Sequence, residues 1–381
     1  MHPAGFDFQP RTRVVFGADT LERVGELARD LGGRRALLVT DRGLAAAGHP
    51  SRAISFLEAA GLQVAIYDAV RENPTTLDVD RCVEVAKKEA IDLFVGLGGG
   101  SSMDTAKGAN FVLTNGGQMK DYWGVGKATQ SMLPLIAIPT TAGTGSECQS
   151  FALISDEKTH QKMACGDPKA AAKVAILDPL LTVSQPERVT ACTGIDALAH
   201  AVETAVTKKR TPLSALYSHE AFRLCIGSLE RVLRDPRDLE ARSMMQLGAA
   251  FAGTAIENSM LGAAHSAANP LTAHYGLVHG QAVGLMLPAV VGFNAQDPTA
   301  QARYHELAAE ADLGAIDELI GELHTILDVA RMREGLGKLG ITRDALPRLA
   351  AEAAQQWTAT FNPRPITAED FEELYVEALG L

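Results

Sequence analysis

The sequence predicts an α/β domain built on a doubly wound, mostly parallel sheet, followed by an all-helical domain. Three observations carry this expectation. Short apolar runs alternate with helix-period segments through the first half, two loops rich in Gly or Thr follow two of those runs, and the composition changes near Ser184–Pro186. The runs are Ala36–Thr40, Gln63–Tyr67, Leu93–Leu97, Leu135–Ile138 and Lys173–Leu177. Mostly apolar stretches of this length suit parallel strands covered on both faces. Between them lie Leu21–Leu31, Ser51–Ala60, Val79–Glu89 and Met103–Thr114, all with helical periodicity. Strands alternating with helices at this interval imply crossover units and parallel pairing. An early run, Thr12–Phe16 before Gly17, suits an extra hairpin or edge strand.

Beyond Pro186 the chain is rich in Ala, Leu, Glu and Arg, with almost no β-branched runs. Asp196–Val206, Leu213–Leu233, Leu239–Ser266, Ala300–Ala309 and Ile316–Leu339 read as helices. The shift predicts two domains, residues 1–184 and 185–381, as a length of 381 residues also suggests. A formal charge of −11 argues against a surface built for nucleic acid or anionic lipid. No apolar run approaches the roughly 20 residues of a membrane span, and the N-terminus lacks a basic-then-apolar signal. The five cysteines are scattered without a CxxC, which suits structural thiols in a reducing compartment. A cytoplasmic protein is expected.

Two loops hold candidate ligand-binding groups. Leu93–Leu97 runs into Gly98, Gly99, Gly100, Ser101 and Ser102 and then a helix. Glycines at such a turn let the backbone approach a diphosphate, and the helix start supplies free N–H groups and a positive pole. The same turn could serve only to pack helix on sheet, and the pattern is not the GxGxxG dinucleotide fingerprint. After Leu135–Ile138 come Thr140, Thr141, Ala142, Gly143 and Thr144, offering hydroxyls and room for a ribose or phosphate. Both loops follow strand ends, where open, Rossmann-like sheets bind ligands. Asp41 closes the Ala36–Thr40 run; its carboxylate suits a ribose hydroxyl and opposes a 2′-phosphate, or else caps a helix.

In the helical half, Asp196 and His200 lie four apart on one helix face, so both can reach one ion. His265 and His279 flank Asn269-Pro270, which is expected to interrupt the helix between them. A carboxylate with three imidazoles suits Fe2+, Zn2+ or another borderline divalent ion. With ten histidines in the chain, a pair at i,i+4 is usually an ordinary satisfied or exposed pair, and spacing alone favours that reading.

The segments GGGSSMDTAK, IPTTAGTGSE, GIDALAHAVE and AAHSAANPLTAHYGLVHGQAVGLMLP resemble, in order and separation, the signatures of the iron-containing alcohol dehydrogenases, which share the dehydroquinate synthase-like fold. The likeness runs from Val14–Gly17 to Asn362-Pro363-Arg364. This resemblance implies an N-terminal nucleotide domain, a helical metal and substrate domain, and an active site in the cleft between them. It implies NAD and one divalent metal, Fe2+ or Zn2+, with Asp196, His200, His265 and His279 as ligands. It assigns Gly98–Ser102 to the pyrophosphate and Thr140, Thr141 and Thr144 to a second nucleotide loop. It also places Asn73 and Lys162 at nucleotide-contacting positions and gives Asp41 the choice of NAD over NADP. The implied reaction is reversible oxidation of a small alcohol to an aldehyde or ketone, and a homodimer is the family expectation.

There are two departures from the family pattern, the first of which bears on the proton path. The family commonly carries a histidine four residues after the third ligand, where Asn269 stands, and an asparagine where Val283 stands. His274 occupies a position where an aromatic is common, and is the candidate replacement relay beside Asn269; an ordinary partly exposed histidine is its plainer reading. Two rivals follow: a metal-dependent lyase of the dehydroquinate synthase type, and a nucleotide-binding homologue without catalysis. The lyase needs Lys and Arg around an anionic substrate, whereas Ala, Gly, Leu and Met surround these ligands.

Overall fold

The structure, a computed structural model, describes residues 5–159 and 161–380. These form two compact units, one of residues 9–185 and one of residues 186–380 with residues 5–8.

The first unit runs β1 (Arg13–Phe16), α1 (Val24–Asp30), β2 (Arg35–Val39), α2 (His49–Ala59), β3 (Gln63–Tyr67), α3 (Thr76–Lys88), β4 (Leu93–Gly98), α4 (Gly100–Asn115), β5 (Gly124–Val125), β6 (Leu135–Pro139), β7 (Phe151–Ser155), β8 (Lys162–Gly166) and β9 (Val174–Leu177). Six strands pair in the order β1-β9-β6-β4-β2-β3, all parallel. Successive side chains on a strand point to opposite faces, and each face is apolar. Leu37, Val39, Phe94 and Ala137 pack with Val79, Val83, Met103 and Ala106 from α3 and α4. Ala36, Leu38, Leu93 and Val95 pack with Val24, Leu27, Ala53 and Leu57 from α1 and α2. Burial on both sides is why these strands read as continuous apolar runs, and each wholly buried Leu or Val contributes about 1.5–3 kcal/mol. The early run is an edge strand, β1 pairing with β9, and not a hairpin.

A second, three-stranded sheet of order β5-β8-β7 was not expected from the sequence. Its hairpin, β7 against β8, closes through a turn in which Asp156 Oδ1 accepts the N–H groups of Lys158 and Thr159 at 2.9 and 2.8 Å.

The second unit is helical: α5 (Glu187–Val206), α6 (Pro212–Arg234), α7 (Leu239–Glu257), α8 (Ala263–Tyr275), α9 (His279–Asn294), α10 (Pro298–Ala309), α11 (Ile316–Val329), α12 (Leu346–Ala354) and α13 (Ala368–Leu379). Helix α5 packs against α6, α7, α9 and α10, and Ala197, Leu198, Ala199, Ala201 and Val202 are all buried. A helix apolar on every side is a core helix, so a polar residue on it must find partners inside the protein.

Three helix expectations are corrected. The run Leu239–Ser266 is two helices, because Asn258 Nδ2 and Ser259 Oγ take the carbonyls of Thr254 and Ala255 and end α7. The run Ile316–Leu339 stops at Val329. Met332 N–H donates to Leu327 O and Arg331 N–H to Asp328 O around Arg331 at φ 56°, a Schellman closure made without glycine. Pro270 does not interrupt the chain between His265 and His279: α8 continues through it and ends at Gly276, φ 65°. Buried packing by Ala267, Ala268 and Leu271 holds the helix past the missing N–H.

Among the described residues no helix is long and apolar enough to cross a membrane.

Candidate active site

In the first unit, the chain crosses back over β2 between β3 and β4, so the strand order reverses between β2 and β4. Ligands of open α/β sheets bind at the carboxyl ends beside such a reversal. Asp41 follows β2, the glycines follow β4 and the threonines follow β6, so the sheet brings three separate segments to one edge.

The glycine and threonine loops are in direct contact. Thr140 N–H donates to Gly98 O at 2.9 Å, and a Cβ on Gly100 would stand 2.9 Å from Thr144 Cγ2. Gly98 has φ +150°, and a Cβ there would meet Ser102 Oγ at 2.4 Å. Glycine is therefore demanded by both conformation and space. The first turn of α4 has no side-chain cap, and although Ser102 N–H turns back to Gly99 O at 3.1 Å, the N–H groups of Gly100 and Ser101 lie ahead of that bond, where an anion can meet them. Asp41 likewise makes no capping hydrogen bond to the short 3-10 turn that follows it, so its carboxylate is not consumed by a cap.

The segments that hold Asn73 and Lys162, distant in sequence, are linked through the unexpected hairpin. Ser155 N–H donates to Pro74 O at 2.9 Å, and Ser155 pairs with Lys162 across β7 and β8. Asn73 is exposed, with φ 52°.

Behind the threonine loop lies a buried network missed in the sequence. Lys107 Nζ, wholly buried, donates to Ser146 O at 2.6 Å, Ser146 Oγ at 2.8 Å and Phe151 O at 3.0 Å. Ser146 Oγ donates to Asp104 Oδ1 at 2.7 Å. The motif DTAK places Asp104 and Lys107 one turn apart, and that spacing was the available signal. Glu147, next in the loop, is also buried, and burial pushes its carboxyl up to about 7.

In the second unit Asp196, His265 and His279 bring their ligand atoms within 4.8 Å of one another, and His200 joins them through Asp196. Asp196 Oδ1 lies 3.4 Å from His200 Nε2, 3.3 Å from His265 Nε2 and 3.9 Å from His279 Nε2. The rings of His200 and His265 stack at 4.8 Å, and those of His265 and His279 stand 5.3 Å apart. Asp196 and His200 are adjacent on α5, His265 lies in the first turn of α8, and His279 opens α9. Gly280 makes the last placement possible, since a Cβ there would fall 1.9 Å from Cys192 O on α5.

This donor set fits a divalent cation. Bonds of about 2.1 Å in tetrahedral geometry separate donor atoms by about 3.4 Å, close to the spacings around Asp196. The ligand atoms of Asp196, His265 and His279 all lie within 4.8 Å of one another. Asp196 Oδ1 and His265 Nε2 are buried and make no hydrogen bond, as expected of atoms reserved for an ion. Burial raises the Asp196 carboxyl, but the three imidazoles overcome this and hold it well below the usual range. Burial lowers His265, and the carboxylates of Glu203 and Asp196 more than offset it, raising the ring to about 9.

Asn269, one helical turn after His265 on α8, is partly buried, and its Nδ2 donates to Gln356 Oε1 at 3.1 Å. His274 is exposed and pairs through Nε2 with Glu352 Oε2 at 2.6 Å. Glu203, on α5 one turn beyond His200, escaped the sequence reading. Its Oε2 lies 2.5 Å from His265 Nδ1, and its Oε1 accepts from Ala264 N–H at 2.7 Å.

Two family models match the chain: iron-containing alcohol dehydrogenase over residues 10–179, and the C-terminal region of that family over residues 190–379. A curated relative, the NAD-dependent methanol dehydrogenase of Bacillus methanolicus, is 34% identical over 372 residues, covering 96% of this chain and 97% of the relative. A solved structure of a 1,3-propanediol oxidoreductase superposes with TM-score 0.93 at 31% identity, over 98% of this chain and 100% of that one. A sulfoacetaldehyde reductase from Bifidobacterium kashiwanohense, solved with NAD+, gives TM-score 0.91 at 28% identity, over 99% of each chain. Together with the carboxylate and three imidazoles gathered on α5, α8 and α9, these matches establish that the chain belongs to the iron-containing alcohol dehydrogenase family and is an alcohol oxidoreductase.

Proposed function

We propose that this protein reversibly oxidises a small alcohol to an aldehyde or ketone, using NAD and one divalent cation, Fe2+ in preference to Zn2+. The convergence of His200, His265 and His279 on the buried Asp196 carboxylate is the observation that carries this reading. When bound, the cation supplies a Lewis acid for the substrate oxygen, and NAD supplies the hydride acceptor. Asp196, His200, His265 and His279 hold the cation. In sequence these ligands are flanked mainly by Ala, Gly and Leu, with no Lys or Arg beside them, which favours a small uncharged alcohol over the anionic substrate of the lyase reading.

Residues 9–185 bind the nucleotide in this reading. Gly98, Gly99 and Gly100 let the backbone approach the pyrophosphate, and the start of α4, with Ser101 and Ser102, donates to it. Thr140, Thr141 and Thr144 offer hydroxyls to the same ligand, with Asn73 and Lys162 as further polar contacts. Asp41 accepts a ribose hydroxyl and repels a 2′-phosphate, favouring NAD. Asn269 orients substrate or a water by hydrogen bonding but holds no titratable proton between pH 5 and 9. His274, exposed and paired with Glu352, carries no proton in this scheme.

We also read the protein as a cytoplasmic homodimer. All five cysteines are buried and unpaired by disulfide, which suits a reducing compartment. The edge strand β1 exposes Val14 and Phe16, apolar surface that a second copy could cover.

The test is NADH formation by Fe2+-loaded protein over a panel of short primary alcohols and diols. Turnover with at least one alcohol, lost on chelation and restored by Fe2+, is expected. Absence of turnover with every alcohol, in protein that holds one metal per chain, contradicts the reading.

A further inference from the structure

Glu203 stands at the junction of three elements. It lies on α5, seven residues after Asp196 and three after His200, and is 3% exposed. One oxygen, Oε1, accepts from Ala264 N–H at 2.7 Å, satisfying a free donor in the first turn of α8. That helix has no cap from Gly262, its own N-cap residue. The other oxygen, Oε2, meets His265 Nδ1 at 2.5 Å. A carboxylate can only accept, so the imidazole donates from Nδ1 and its Nε2 is turned toward Asp196, 3.3 Å away.

We propose that Glu203 is a positioning residue for the cation: it fixes the ring orientation and Nδ1–H tautomer of His265 and docks the first turn of α8 onto α5. The inference rests on the metal reading above but concerns a residue that binds no metal itself. A buried carboxylate on a ligand imidazole orients the ring and raises its basicity, and losing such a partner typically costs 10–100-fold in metal affinity. Glutamate is suited to both tasks at once, because its two oxygens serve two donors. Glutamine has a single acceptor oxygen and must fail one of them.

Asn362 provides the control. Its Oδ1 accepts from the neighbouring Ala263 N–H at 3.3 Å, so it also supports the start of α8, yet it does not touch His265. The experiment measures Co2+ and Zn2+ affinity by chelator competition, with the visible spectrum of the Co2+ form, for wild type, Glu203→Gln, Glu203→Ala and Asn362→Ala. Wild type should bind one ion per chain with a tetrahedral Co2+ spectrum; its failure to do so would defeat the metal reading itself. Given wild-type binding, Glu203→Gln should lose 10–100-fold in affinity and alter the spectrum. Asn362→Ala should lower Tm yet stay within about twofold of wild-type affinity. If Glu203→Ala does not fold, the near-isosteric Glu203→Gln decides. Wild-type affinity and spectrum in Glu203→Gln overturn the proposal, as does an equal affinity loss in Asn362→Ala, which would reduce Glu203 to a helix cap.

Discussion

The glycine and threonine loops and the histidine cluster are built from opposite materials. At the sheet edge the proposed binding groups are mainly backbone N–H and hydroxyls, and the space that matters is the absence of side chains at Gly98 and Gly100. At the cluster everything rests on four side chains, and the backbone's part is to bring α8 and α9 against α5. A site made of backbone tolerates many residues and fails by steric intrusion. A site made of side chains fails by deletion. Each therefore has its own characteristic lesion, and the two should be separable.

The largest effect is expected at the cluster. His279→Ala removes a partly exposed ring at the start of α9, so the fold should survive. A Lewis acid is worth several kcal/mol to a developing negative charge, so turnover should fall about 10³-fold or more, with most metal lost. Metal analysis and kcat on the same sample check this, and NAD affinity should be unchanged. Gly98→Ala is the mirror experiment. Its Cβ would enter Ser102 at φ +150°, a strain on the order of 1–3 kcal/mol. NAD should bind at least about tenfold more weakly by fluorescence titration, with the metal content intact. Loss of metal in Gly98→Ala would break the separation.

The same contrast governs what the sequence disclosed. The six-stranded sheet was legible because both faces of each strand are buried, giving continuous apolar runs. The glycine loop was legible because absent side chains leave a mark in sequence. The second sheet was not, because Lys162–Gly166 holds no β-branched residue, Gly124–Val125 is only two residues long, and no Asn-Gly or Asp-Gly marks the turn that joins Phe151–Ser155 to its partner. The end of α11 was hidden for a similar reason, since Arg331 takes the left-handed position where glycine would have announced it. The four candidate ligands could be named from the motifs. Glu203 could not, because its role depends on α8 lying against α5, a long-range contact that no local spacing encodes.

The buried network behind the threonine loop predicts a pH effect on stability. Glu147 has its carboxyl raised to about 7 by burial, against an ordinary value of 4.5. Between those values the fold binds more protons than the unfolded chain, so this group's contribution is complete below 4.5 and is lost as pH rises through 7. Glu147→Gln should therefore flatten the decline in Tm from pH 5 to 8.5, with a stability gain on the order of 3 kcal/mol at the alkaline end. Parallel profiles for the two proteins would show that the carboxyl is not burdened by its burial.

Smaller changes test the polar fringe of each region. Asp41→Gly should reduce the preference for NAD over NADP by about tenfold in kcat/KM, the loss of roughly one charge repulsion. A wild-type protein that prefers NADP contradicts this outright. At the other site, Asn269→Ala should lower turnover without changing the shape of the pH profile, whereas Asn269→His should add an ionisation near neutrality. His274→Ala should be the mildest of all, within about twofold of wild type, because a solvent-exposed side-chain contact to Glu352 contributes about 0–1 kcal/mol. A changed pH profile in that variant would make His274 the relay.

The central claim is that one cation sits among Asp196, His200, His265 and His279. Anomalous X-ray diffraction from crystals of Fe2+-loaded protein, recorded on both sides of the iron edge, tests it without reference to activity. The account predicts one peak per chain, within about 2.0–2.2 Å of an Asp196 oxygen and of the three Nε2 atoms. A peak elsewhere in the chain, or full occupancy with His279 or His265 turned away from it, would contradict the account.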